Sequence, residues 1–243
     1  MCCKSNSFNE ILIGKYRFLT YVKGNITAVF STGEGGLDFN KNTDDGISNI
    51  NLLKEWFNVK NIGYLNQIHS SLIFDYDGSI YSGDGLMTNK KNTAIGIFTA
   101  DCVPVLMCDT VKGVIAAVHS GWRGTLNCIA GAAVNKMIED YGSKASDISV
   151  FIGPHIGGCC YEVGADLMKT FQNEFSLKDD NETRNSKLDL EKCILYELKR
   201  NKIADSNIYT TDICTYCSKR YHLHSYRRDN QKTGRMFSFI YIN

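Results

Sequence analysis

Two imidazoles and one thiol stand where apolar runs break off: His69 after Gly63–Ile68, Cys102 before Val103–Cys108 and His119 after Val114–Val118. Short β-branched runs bounded by polar, Gly or Pro residues read as buried strands. A tight antiparallel turn over Asp109–Gly113 would set the start of one strand beside the end of the other, bringing Cys102 to His119. One thiolate with two imidazoles is a zinc-type donor set, and three protein donors with a fourth position left to water is the catalytic pattern. The same thiol and imidazole also suit a nucleophile with its general base. The plainer alternative is that each is a hydrogen-bonded core residue, and no compact ligand motif joins the three.

Charged residues beside these donors and further along the chain add candidates. Arg123 lies in Ser120-Gly121-Trp122-Arg123-Gly124-Thr125, just ahead of a helix expected from about Leu126 to Tyr141, whose positive end suits an anion. Asp84, in a turn expected at Ser82–Thr88, and Asp101, beside Cys102, are carboxylates able to orient a ligand or move a proton, or simply to cap turns. Arg227, Arg228 and Arg235 suit phosphate through bidentate guanidinium contacts, or surface ion pairs worth little. Cys214-x-x-Cys217 with His222 and His224 resembles half a zinc ribbon. The histidines follow too closely for a finger, so that set is discounted.

The positioning elements follow from periodicity. Tyr16–Val22 and Ile26–Phe30 read as paired strands, followed by a Gly-rich turn at Gly33–Gly36. Asp44 and Asp45 open a helix through Ile47, Ile50, Leu53 and Phe57. Leu72–Tyr76, Ala94–Thr99, Ile148–Ile152 and Phe237–Ile242 read as further strands. Helices are expected over Gly164–Phe175 and Leu188–Lys202, separated by a solvated loop at Lys178–Lys187. With no repeat or linker, residues 1–243 read as one domain.

A formal net charge of +1 gives no reason to expect nucleic acid, and 43% hydrophobic with 22% charged residues is an ordinary globular balance. No apolar stretch reaches the ~20 residues of a membrane helix, and Met-Cys-Cys-Lys lacks a signal-peptide core. A cytoplasmic protein, with its ten cysteines mostly reduced and filling core, is the expectation.

Several motifs occur together in order: Asn66-Gln67-Ile68-His69, Gly83-Asp84-Gly85-Leu86, Thr99-Ala100-Asp101-Cys102-Val103-Pro104-Val105-Leu106, His119-Ser120-Gly121-Trp122-Arg123-Gly124-Thr125, Ile152-Gly153-Pro154 with Cys159-Cys160-Tyr161-Glu162-Val163-Gly164, Cys214-Thr215, and Ser225-Tyr226-Arg227-Arg228-Asp229 with Thr233-Gly234-Arg235-Met236. From about Thr20 onward the chain thereby resembles the YfiH-like laccase-domain family, also called polyphenol-oxidase-like. The resemblance implies a single α/β (α+β) domain, with mixed and antiparallel sheets covered by helices. It also implies zinc, with copper as the alternative ion, on the positions matching His69, Cys102 and His119. Asp84 and Arg123 join these three as catalytic candidates, and Arg227 and Cys160 are candidate substrate contacts.

The activity so implied is phosphorolysis of adenosine, inosine and methylthioadenosine to the base and sugar 1-phosphate, with adenosine deamination. The partners would be purine nucleosides and phosphate, with no nucleic acid or membrane, and the chain would be a monomer or homodimer. Alternatives are a peptidoglycan-editing amidase acting on UDP-N-acetylmuramoyl-L-serine, a copper polyphenol oxidase (laccase), and a non-enzymatic binding module that keeps the metal for stability. The chain departs from the family pattern at Gly33, where an arginine is usual, and at Gly158, where a proline is common. The first departure leads to the expectation that Gly33→Arg would raise the phosphorolytic rate.

Overall fold

A computed structural model describes residues 8–175 and 187–243. Its elements are β1 (Asn9–Ile13), β2 (Tyr16–Lys23), β3 (Ile26–Ser31), α1 (Asp44–Trp56), β4 (Asn61–Gly63), β5 (Ile73–Asp75), β6 (Gly85–Thr88), β7 (Thr93–Thr99), β8 (Val103–Asp109), β9 (Val114–Ser120), α2 (Trp122–Leu126), α3 (Ile129–Tyr141), β10 (Ile148–Ile152), α4 (Ala165–Phe175), α5 (Leu190–Arg200), β11 (Ile208–Thr210), α6 (Tyr226–Asp229) and β12 (Met236–Ile242).

The strands form two mixed six-stranded sheets, ordered β1-β2-β3-β12-β7-β4 and β11-β10-β8-β9-β6-β5. Their central strands are apolar on both faces, as sheets covered on both sides require. In β8, Val103, Val105 and Met107 face the helices α3, α4 and α5, while Leu106 and Cys108 face the other sheet. β12 divides the same way: Ile240 and Ile242 enter the inter-sheet core, and Phe237, Phe239 and Tyr241 pack under α1. The result is a four-layer α+β domain, with helix α1, the two sheets and helices α2 to α5 stacked in that order.

The β8–β9 hairpin forms as expected. Asp109 Oδ1 accepts from the Val111 and Lys112 amides, and Gly113 takes the left-handed conformation, φ +65°, that closes the turn. The chain then differs from expectation in three places. The run after Gly63 leaves the first sheet, because β4 pairs with β7 only over Asn61–Gly63. The expected turn at Ser82–Thr88 is, from Gly85 to Thr88, the buried strand β6. The helix expected from Leu126 is divided into α2 and α3 by Cys128, whose φ of +53° breaks the helical path, so Arg123 lies inside α2 rather than ahead of one long helix. Residues 178–186 of the expected solvated loop lie outside the described residues. No helix among the described residues is long and apolar enough to cross a membrane.

Candidate active site

The site forms where the chain passes from one sheet to the other. β7 belongs to the first sheet and β8 to the second, and Ala100, Asp101 and Cys102 make the crossing. Asp101 turns that corner with φ +100°, an unfavourable conformation for a residue with a side chain. It is held there by Thr215 Oγ1 and the Arg227 amide, both donating to its carboxylate at 2.6 Å, and by the Ile156 amide donating to its carbonyl. The hairpin register sets Val103 opposite Ser120 and Pro104 opposite His119, placing Cys102 beside His119.

His69 arrives by another route. It lies in the loop between β4 and β5 with φ +57°, and its backbone is organised by the fully buried Asp84. That carboxylate accepts from the amides of Ile68, His69 and Ser70, from Ser70 Oγ at 2.7 Å, and from His119 Nδ1 at 2.8 Å. One carboxylate therefore positions both imidazoles. Because His119 donates Nδ1–H to Asp84, its Nε2 is left with a lone pair toward the site, the second-layer contact typical of metal-bound histidines.

The donor atoms of His69, Cys102 and His119 lie within 4.8 Å of one another, with Cys102 Sγ 4.0 Å from His69 Nε2. Tetrahedral zinc with these donors needs an edge of roughly 3.3–3.8 Å, so a small inward motion of side chains completes the set. Gly121 leaves room for it: a Cβ there would stand 3.0 Å from the His69 ring and 3.1 Å from Cys102 Sγ. The donor chemistry and this clearance fit a borderline-soft divalent ion.

Electrostatics favour the ligating form of the thiol. Burial pushes the Cys102 pKa up, but the charge of His119 and hydrogen bonds from His119 and His69 outweigh it and lower the thiol to about 6. Burial opposes protonation of His119, yet the Cys102 thiolate and Asp84 raise it to about 9. Burial likewise works against ionisation of Asp84, and its bonds from His119 and Ser70 bring it down to about 2. Without a metal, Cys102 and His119 thus form a thiolate–imidazolium pair braced by a carboxylate.

The three donors open into a cavity of about 760 Å³ that also holds Arg123, Arg227 and Arg235. Arg123 lies over the Trp122 ring at 4.8 Å and Arg227 over the Tyr161 ring at 5.2 Å; cation–π contact of this kind holds a guanidinium in place. Arg227 also donates to the Glu162 carbonyl. Arg228 is spent elsewhere, on Asp229 and on the carbonyls of Thr215 and Leu223, and does not line the cavity. Asp84 is no wall residue either; it acts through the two histidines.

Two other expectations resolve differently. The Cys160 thiol is turned into a cluster with Cys159, Cys214 and Cys217 and does not line the cavity. Gly33 packs against His222, where a Cβ would come within 2.7 Å of Nδ1, so an arginine there must first displace that ring. The backbone of Gly33, at φ −91°, is not the obstacle. Phe98, Trp122 and Tyr161 line the cavity without having been singled out; only the apolar-to-charged spacing of Trp122-Arg123 could have pointed to one of them.

The profile of the family described as multi-copper polyphenol oxidoreductase laccase matches residues 15–243. A purine nucleoside phosphorylase of Clostridium acetobutylicum is 48% identical over 230 residues, covering 94% of this chain and 97% of the relative. One of Haemophilus influenzae is 31% identical over 244 residues, covering 91% and 96%. Among solved structures, the YfiH protein of Bacillus licheniformis superposes with a TM-score of 0.85 at 28% identity, covering 96% of this chain and 99% of that one. YlmD of Geobacillus stearothermophilus gives 0.84 at 27% identity, covering 97% and 98%.

Proposed function

This chain belongs to the YfiH-like laccase-domain family, and we propose that it is a purine nucleoside phosphorylase acting on adenosine, inosine and methylthioadenosine, with adenosine deamination as a second activity. The observation that carries this reading is one cavity joining the His69–Cys102–His119 donors to two guanidiniums braced on aromatic rings. Zinc bound by those donors would supply Lewis acidity and acidify a water. The protein's own share is to bind and orient. Arg123 and Arg227 would hold phosphate in the attacking position and offset its charge as the bond to the sugar carbon forms and the base departs. Asp84 fixes the His119 tautomer, so that Nε2 faces the reacting groups.

A multi-copper oxidase reading lacks donors. Of five histidines only His69 and His119 are at the site. His155 is buried against Glu191 and the Gly153 carbonyl, while His222 and His224 bond the carbonyls of Gly33 and Leu37. A second enzyme reading is favoured by the Asp84–His119–Cys102 alignment, which in a metal-free chain is that of a cysteine nucleophile with its base and orienting carboxylate, suited to splitting an amide. The deciding measurement is product identification from adenosine and inosine, with and without phosphate, on protein of known metal content. Ribose 1-phosphate formed only with phosphate supports phosphorolysis; no turnover of any purine nucleoside, with cleavage of an N-acylated muramoyl precursor, would replace it.

A further inference from the structure

A second donor cluster lies outside the cavity. β10 and β11 pair in parallel from Val150↔Ile208 to Ile152↔Thr210, and the pairing resumes at His155↔Cys214, where His155 donates to Ile213 and Thr215 to the His155 carbonyl. Backbone pairing thus holds the Gly157–Tyr161 turn against the Cys214–Ser218 turn, and four thiols meet: Cys159, Cys160, Cys214 and Cys217, with every sulfur within 4.8 Å of the others. Cys159 and Cys217 sulfurs are 3.7 Å apart.

That spacing is informative. With Zn–S bonds of about 2.3 Å, the edge of a zinc tetrathiolate tetrahedron is about 3.8 Å, whereas a disulfide requires about 2.05 Å. The Cys-x-x-Cys turn also has the construction of a metal knuckle: Cys214 sulfur accepts from the Gly157 amide at 3.4 Å. Amide donors aimed at a sulfur stabilise the thiolate, the form a metal binds. Gly157 keeps the turn close, since a Cβ there would stand 3.3 Å from Cys159 Sγ. Cationic groups brace both turns from outside, with Lys187 on the Cys159 carbonyl and Arg228 on those of Thr215 and Tyr216.

We propose that Cys159, Cys160, Cys214 and Cys217 form a closed tetrathiolate zinc site, separate from the His69–Cys102–His119 donors, whose ion clamps together the two turns that carry the cavity wall. Binding releases the remaining thiol protons to solvent and changes no oxidation state. The turn ending in Cys160 continues directly into Tyr161, on which Arg227 lies, and Thr215 between the paired cysteines holds Asp101. The ion therefore braces the arginine and the corner before Cys102 while touching neither.

The test counts metal in full-length protein whose cavity donors have been removed, His69→Ala/His119→Ala. Elemental analysis and native mass spectrometry should find one zinc per chain, lost when Cys159→Ser and Cys217→Ser are added. X-ray absorption on the retained ion should show four sulfur neighbours. Should the double histidine variant not fold, cobalt loading of the unmutated chain decides: a tetrathiolate spectrum beside a mixed nitrogen–sulfur one is expected, and the mixed one alone would overturn the site. Under native conditions the four thiols should resist iodoacetamide until a chelator is added. Free alkylation without chelator, an intact mass short of hydrogens as disulfides would make it, or iron in place of zinc would each overturn the proposal.

Discussion

The two donor clusters of this chain are built on opposite plans. His69, Cys102 and His119 are held from behind by one buried carboxylate and face a cavity, with a mixed nitrogen and sulfur set that leaves a position open. The four cysteines are held by backbone pairing and by the Gly157 amide on Cys214, lie toward the surface and offer sulfur alone. The first plan keeps a coordination position for chemistry; the second uses every position to join two turns. The same chain thus separates reactivity from bracing by the choice of what backs each donor.

Breaking the cavity cluster should have the largest effect. Cys102→Ala or His119→Ala should lower nucleoside turnover by about a thousandfold, the several kcal/mol that a Lewis-acid centre supplies; Cys102→Ala should keep a melting temperature near that of the parent, whereas His119→Ala should lower it by leaving the buried Asp84 carboxylate without its partner. Metal analysis checks the cause, and full occupancy in Cys102→Ala would show that the donor set is different. Asp84→Asn comes next. It should weaken metal binding by about 10- to 100-fold through misoriented histidines and destabilise the fold by about 3 kcal/mol, since four loop donors and His119 lose a charged acceptor. Isothermal titration with zinc and denaturant unfolding measure the two separately.

Arg123→Lys tests a finer distinction. Lysine keeps the charge but loses the planar fork and its stacking on Trp122. The expected result is about a tenfold rise in KM for phosphate with deamination nearly unchanged, read by parallel assays on adenosine with and without phosphate. Equal loss in both assays would assign Arg123 a structural role.

How much of this could be read beforehand depended on the distance in sequence over which each contact acts. The Cys102–His119 pairing was readable because a hairpin is local: two apolar runs and the turn closed by Gly113 leave one register. His69 does lie with Cys102 and His119, but not by way of the strand end that its place in the sequence predicts. It does not end a strand; it occupies a left-handed corner that exists only because Asp84, fifteen residues on, accepts its amide. The cysteine cluster is half visible in Cys214-x-x-Cys217, while the histidines that follow it bond the carbonyls of Gly33 and Leu37 instead. Its other half, Cys159-Cys160, follows β10 and meets Cys214-x-x-Cys217 only because β10 pairs with β11, a strand of three residues that lies two α-helices further on, a pairing that no periodicity announces. β6 was hidden by Gly83 and Gly85, which read as a turn, although close approach to Phe74 and Ile73 is what they provide.

The smallest effect bears most directly on the contrast between the clusters, and it is read in metal-stripped protein. Cys102, at about 6, remains largely thiolate at pH 7, while burial foremost pushes Cys159 up to about 11. Stability is a poor probe of the first pair. The proton that Cys102 gives up, relative to an unfolded thiol near 9, matches the one His119 keeps, relative to an unfolded imidazole near 6.5. Native and unfolded chains then bind equal numbers of protons from this pair between about pH 6.5 and 9, and no slope results. Alkylation does register it, because only the thiolate reacts. From pH 7 to pH 5 the rate at Cys102 should fall about tenfold, as the thiolate fraction drops through a pKa near 6, where an ordinary thiol would fall about a hundredfold. Peptide mapping after brief iodoacetamide pulses measures this site by site, and the His119→Ala chain should restore the steeper, ordinary dependence. A hundredfold fall at Cys102 in the unmutated, metal-stripped chain would mean that the thiolate–imidazolium pair does not form without metal, and that the amide-splitting alternative loses its nucleophile.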